Sequence, residues 1–231
     1  MVDRYVEILQ PWARTTEVRS DIGAHERPAR HLVFHKSLSL RVHSPIKEPL
    51  IVLHVGSGCR YKCASPMFWA SIVNGLMRTN PKRKICLVGG PADIDSLRNV
   101  QGLLTDIEYA TLTGMDLLQV AKYLQYAQIF IGHDSGLSHF AASFGISSVL
   151  LFGPTDPAKW APQGAHVTII RKSCHCIGKT SIAGCMDRQC LSVSPLEVLG
   201  KVEEVLCGVK TAVNYPAFEC VDEDLTVPCL G

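Results

Sequence analysis

The chain has 231 residues, 47% of them apolar and 19% charged, and its 23 basic and 21 acidic side chains leave a formal charge of +2. These values describe a chain long enough to bury a core, and they exclude a disordered one. They also exclude the strongly basic surface that nucleic acid demands, because the longest basic run, Lys82-Arg83-Lys84, reads as a solvated turn.

The N-terminal residues 3–13 read as a short amphipathic helix with Tyr5, Val6, Ile8, Leu9 and Trp12 on its apolar side. Residues 14–47 are polar and rich in Arg and His, with a short extended stretch at 31–34, and read as a linker. No apolar run reaches membrane-spanning length. Residues 1–20 carry charge throughout, so they are not a secretory signal and a cytosolic location is expected. In that compartment the ten cysteines are read as thiols or metal ligands before disulfides.

From Glu48 onward a regular alternation begins. Strands are expected at 49–55, 84–90, 107–112, 128–132, 147–153 and 166–170. Helices are expected at 66–78, 92–103, 116–126, 135–144 and 195–206, the last with Ser194 as cap and Pro195 at its start. Continuous apolar strands alternating with helices specify an α/β fold, a Rossmann-like parallel sheet flanked by helices. Ligands of such sheets sit beyond the carboxyl ends of the strands. Here those ends carry Gly56–Gly58, Gly89–Pro91, Gly132–Gly136 and Phe152–Thr155. The stretch from Gly208 to Gly231 lacks periodicity and reads as an irregular tail.

Several motifs fall on that rim. Gly56-Ser57-Gly58 with Lys62 has the makings of a phosphate cradle, with amides pointing outward and an ammonium beside them. Standing alone, it reads more simply as a tight turn with an exposed lysine. Asp134-Ser135-Gly136 opens a helix, where Asp or Ser serves as N-cap and the same helix end attracts anions. His139 follows one turn later. Gly153-Pro154-Thr155-Asp156-Pro157 with Trp160 reads as a rigid loop walling a pocket. Cys174, Cys176, Cys185 and Cys190, with His175 among them, have the composition of a tetrathiolate zinc or iron site, although reduced thiols in a loop satisfy the same pattern. Spacing supports no Ser-His-Asp order and no paired carboxylates.

HDSGLSHFAASFGISSVLLFGPTDPAKWAPQG (133–164) closely resembles the signature of glycosyltransferase family 9, the ADP-heptose:lipopolysaccharide heptosyltransferases. GSGCRYK, LVGGPAD, LTGMDLLQVAKYLQYAQIFIG and CLSVSPLEVLGKVEEVL are similar to the family's other segments in order and spacing. The resemblance implies the GT-B architecture of two Rossmann-like lobes around a cleft. On that footing residues 1–47 are the remnant of an N-terminal lobe and its linker. Residues 48–207 are the C-terminal, nucleotide-sugar-binding lobe, and 208–231 the tail. Gly56, Ser57, Lys62, Asp134, Ser135, Gly136 and His139 are then expected around the donor diphosphate and sugar, with Asp93 near the sugar and Met115 and Leu137 at the adenine end. Lys62 is expected to stabilise the leaving group, and the general base to stand in the other lobe.

The implied reaction moves heptose from ADP-heptose to a lipid-linked saccharide of the lipopolysaccharide core, in the cytoplasm or at the inner membrane face, without a catalytic cofactor. Two alternatives stand beside it: a non-catalytic nucleotide-sugar-binding remnant, and a subunit completed by a separate N-terminal lobe. The pattern departs from the family at Lys62, which is followed by Cys63-Ala64-Ser65-Pro66 in place of Lys-x-Trp-Pro.

Overall fold

The computed structural model describes residues 49–174 and 188–212. The expected helix over 3–13, the stretch at 31–34 and the rest of the 1–47 segment lie outside the described residues, as do His175, Cys176, Cys185 and the chain beyond 212.

Six strands form one parallel sheet: β1 (Leu50–His54), β2 (Lys84–Val88), β3 (Tyr109–Leu112), β4 (Ala127–His133), β5 (Ser148–Leu151) and β6 (Val167–Ile170). Their order is β3-β2-β1-β4-β5-β6, with every neighbouring pair parallel. The chain therefore builds outward from β1 to β3 and returns to start the other half at β4. That reversal leaves a crevice beyond the ends of β1 and β4, the usual ligand site of a doubly wound sheet.

Both sheet faces are covered, which is why the strand runs are continuously apolar. Alternate residues point to opposite faces. Ile51 and Leu53 of β1, Ile85 and Leu87 of β2, and Ile129 and Ile131 of β4 join one core cluster. This cluster includes Trp69, Ile72 and Leu76 of α1 (Pro66–Thr79), Leu97 of α2 (Ile94–Gln101), and Val198 and Val202 of α6 (Pro195–Ala212). Leu50 and Val52, Cys86 and Val88, and Phe130 face the other way, onto Val120 and Leu124 of α3 (Leu117–Leu124) and Phe140 of α4 (Gly136–Ser143).

Helix starts follow from local chemistry. Ser65 caps α1 ahead of Pro66, its side chain accepting from Phe68 N. Asp116 and Gln119 form a reciprocal capping box on α3. Ser194 Oγ accepts from Glu197 N at 3.1 Å at the start of α6, as its position predicts.

Two elements differ from expectation. The loop after β5 holds a one-turn helix, α5 (Pro157–Trp160), capped by Asp156. α6 continues to Ala212, past residue 208 where the irregular tail is expected to begin. Gly208 costs a helix only about 1 kcal/mol relative to alanine, and the next proline is Pro216, so nothing in between forces a stop.

Candidate functional site

The rim above β1 and β4 is built from four chain segments. β1 leads into Gly56-Ser57-Gly58 and a short 3-10 turn, Arg60–Lys62. Gly58 takes φ +67°, a left-handed conformation that glycine adopts without strain. At Gly56 the constraint is space, since a Cβ there would stand 1.9 Å from Asp93 Oδ1. The turn presents Lys62, whose Nζ donates to Asp134 Oδ2 at 2.7 Å, the two side chains being 20% and 7% exposed.

Asp134 follows the end of β4, and Ser135 then caps α4 by accepting from Ser138 N. The two candidates for cap thus divide the work, with the serine capping and the aspartate holding the lysine. The first amides of α4, those of Gly136 and Leu137, have no acceptor within the helix and form its positive end.

Asp93 lies in the 3-10 turn Pro91–Asp93 after β2. Its Oδ1 accepts from Gly58 N (3.2 Å), and its Oδ2 accepts from Gly90 N (3.0 Å) and His54 Nε2 (3.1 Å). Burial pushes this carboxyl up, but the hydrogen bond and charge of His54 and the two amides outweigh it and hold it down at about 2. An ionised carboxylate only accepts, so His54 Nε2 carries the proton there. The other ring nitrogen, Nδ1, lies 3.1 Å from Ser135 Oγ.

A Ser135–His54–Asp93 relay therefore exists, although chain spacing supports none; it is assembled from three strand ends far apart in sequence. His54 is 3% exposed and Ser135 Oγ is engaged as a helix cap, so the relay orients a hydroxyl at the rim.

His133, the last residue of β4, is fully buried. Its Nδ1 donates to Gly56 O at 3.0 Å and its Nε2 accepts from Ala64 N at 2.8 Å. Burial pushes its pKa down to about 4, so the ring is neutral near pH 7. His139 Nε2 donates to Trp160 O at 2.8 Å, tying α4 to α5, and burial lowers its pKa as well.

Of the expected donor residues, the fold thus brings Gly56, Ser57, Lys62, Asp93, Asp134, Ser135 and Gly136 to one crevice. Asp93 spends its carboxylate on the backbone and on His54. Leu137 packs on the α4-side core alongside Trp160. Met115 is 37% exposed and stands beyond β3, the edge strand, on the far side of β1 and β2 from β4.

Cys190 is buried and Cys174 half-buried, on two segments joined by Lys172 N donating to Cys190 O at 3.4 Å. Among the described residues no three His, Cys, Asp or Glu side chains are grouped to hold a metal. His54 and His133 are the residues that sequence patterning misses. Each closes an apolar strand run, and a histidine at the carboxyl end of a strand in such a sheet is the only signal available.

The model of glycosyltransferase family 9 (heptosyltransferase) matches residues 1–187. The chain belongs to that family. Lipopolysaccharide heptosyltransferase 3 of Escherichia coli is 27% identical over 124 residues, which are 52% of this chain and 36% of that protein. The structure of E. coli ADP-heptose LPS heptosyltransferase II superposes with a TM-score of 0.60 at 21% identity, covering 71% of this chain and 48% of that one. TibC, an iron-containing dodecameric glycosyltransferase from enterotoxigenic E. coli, gives 0.56 at 19% identity, with 77% and 49% covered. The chain of this family 9 member spans about half the length of these relatives, or less. Their likeness bears out the expected fold, the Rossmann-like lobe of a GT-B glycosyltransferase.

Proposed function

We propose that this family 9 chain carries the donor half of a heptosyltransferase, residues 48–207 forming the lobe that grips the diphosphate of ADP-heptose. The observation that carries the reading is the Lys62–Asp134 pair, set 2.7 Å apart beside the uncapped amides of α4 at the centre of the rim. A diphosphate arriving there meets an ammonium, a helix start and the Ser135 hydroxyl together.

In the transfer, the bond between the anomeric carbon and the diphosphate oxygen breaks as the acceptor hydroxyl oxygen bonds to that carbon. Negative charge grows on the leaving ADP, and Lys62 and the Gly136 and Leu137 amides neutralise it, so no divalent cation is required for that role. Asp134, released as Lys62 turns to phosphate, is left to orient donor hydroxyls. The family resemblance assigns His139 and Asp93 to the sugar and Met115 and Leu137 to the adenine, Asp93 acting there through His54 and the glycine loop that its carboxylate holds. The acceptor proton passes to a carboxylate base of the acceptor-binding lobe. The acceptor in this reading is a lipid-linked saccharide of the lipopolysaccharide core, met at the cytoplasmic face of the inner membrane. Among the described residues no helix is long and apolar enough to cross that membrane.

The test is calorimetric titration of the purified chain with ADP and ADP-heptose. Saturable binding is expected, weakened about 10–100-fold in Lys62→Ala, which removes the cation and leaves the buried Asp134 carboxylate unpaired. Wild-type protein that binds neither ligand sinks the reading. Turnover is then assayed with a lipid-linked acceptor, with and without a supplied N-terminal lobe.

The four thiols Cys174, Cys176, Cys185 and Cys190 are proposed as a structural zinc or iron site outside the reaction. The pairing of the Cys174 and Cys190 segments supports it, and TibC is described as iron-containing. Elemental analysis showing no stoichiometric metal would overturn that assignment.

A further inference from the structure

Lys62 meets a diphosphate only where the loop from Gly56 to Ala64 puts it. We propose that His133 is the positioning residue of that loop, a neutral imidazole clamping its two ends so that Lys62 is presented to the anion. The inference rests on the donor-site reading and adds to it a residue that makes no ligand contact.

The hydrogen-bond accounting leaves one solution. A carbonyl oxygen only accepts and a backbone N–H only donates. With Gly56 O at 3.0 Å from Nδ1 and Ala64 N at 2.8 Å from Nε2, the proton must be on Nδ1 and the lone pair on Nε2. One ring therefore closes the loop where it leaves the sheet and where it enters α1. Inside the loop the bonds are short-range: Lys62 N to Cys59 O at 2.9 Å, Cys63 N to Arg60 O at 3.3 Å and Ser57 Oγ to Cys59 O at 2.8 Å. Asp93 adds a single tie at Gly58.

The residue that follows β4, Asp134, takes the Lys62 ammonium, so adjacent residues fix the backbone of the loop and its charge. Position in the strand explains the reach. His133 continues the Ile129 and Ile131 set onto the α1 face, where its ring meets Trp69 edge-on, with centroids 5.0 Å apart at 86°. The ring is 0% exposed, so no water stands ready to replace either bond.

A double-mutant cycle on the full chain tests this, using calorimetry with ADP on wild type, Lys62→Ala, His133→Phe and the double variant. His133→Phe is expected to weaken ADP about 10–100-fold, the usual effect of losing a residue that orients a binding group. In its background Lys62→Ala should cost little more, because the lysine is already misplaced. His133→Asn, which keeps an amide donor for Gly56 O, is expected to fall between wild type and the Phe variant. Full Lys62 sensitivity in the His133→Phe background overturns the proposal.

Amide exchange gives a reading that needs no ligand. The Ala64 amide should lose protection in His133→Phe while β1 and β4 keep theirs. Unchanged protection at Ala64 also overturns the proposal. If His133→Phe fails to fold, His133→Asn carries both measurements. Wild type that does not bind ADP overturns the donor reading itself, and the exchange result then decides separately whether His133 holds the loop.

Discussion

The two ends of the sheet treat buried polar groups differently. At the amino-terminal edge, Arg83 and Ser148 satisfy themselves locally and stop. Arg83 forms a bidentate pair with Glu203 of α6 at 2.7 Å and donates to Leu76 O of α1, while Ser148 Oγ donates to Ile146 O. At the carboxyl rim, His54, Asp93, His133, Asp134 and Ser138 are equally buried, but His54 links Asp93 to the Ser135 hydroxyl, Ser135 meets Ser138, whose Oγ donates to His133 O, and the adjoining Asp134 takes the Lys62 ammonium at the start of α4. A closed polar cluster joins helices to one another. A chain that runs out to a cation and a helix terminus has the construction of a binding site.

The largest expected difference between the two ends lies in their response to acid. His133 is held at about 4 when folded and titrates near 6.5 when unfolded. Its contribution is therefore complete above pH 6.5 and drains away as pH falls toward 4, by about 3 kcal/mol in total. Asp93, lowered from 3.8 to about 2, extends the loss in the same direction below pH 3.8. Denaturant midpoints measured from pH 7.5 to 4.5 should fall in wild type and flatten in His133→Asn; parallel curves would remove His133 as the cause.

Arg83→Met is expected to cost about 2 kcal/mol, discounted from a fully buried pair because the Glu203 side chain is 34% exposed. ADP affinity should stay at the wild-type value, and a drop beyond threefold would show that the two ends are coupled. Ser148→Ala should cost about 1 kcal/mol, the price of an unpartnered Ile146 carbonyl, again without change in ADP binding.

The sheet was legible in the sequence because each strand carries an unbroken apolar run and each crossover a periodic one. The Ser194 cap was legible as a local signal, and at 134–135 the choice between Asp134 and Ser135 stayed open until the structure gave the cap to Ser135. Lys62, Asp134 and Ser135 were placed at a donor site by the family resemblance, since spacing alone reads as a tight turn and a helix cap; the Lys62–Asp134 bond joins β1 and β4 segments 72 positions apart and needs the strand order to be seen. The histidines were hidden differently. LIVLH and QIFIGH read as core strands, and nothing local says that their last residue turns toward a partner 39, 69, 77 or 81 positions away. α5 was a missed local signal, since Asp156-Pro157 is a cap followed by the proline that favours a first helical turn.

The close fit of Gly56 against Asp93 has a consequence for how this rim can diverge. Any side chain at 56 collides with the Asp93 carboxylate, which also anchors Gly58, Gly90 and His54. Shortening the aspartate does not open the position, because its own Cβ would stand 2.6 Å from one at 56. Glycine at 56 and the backbone path of residue 93 are therefore fitted to each other, and a change at either is felt by the loop that carries Lys62.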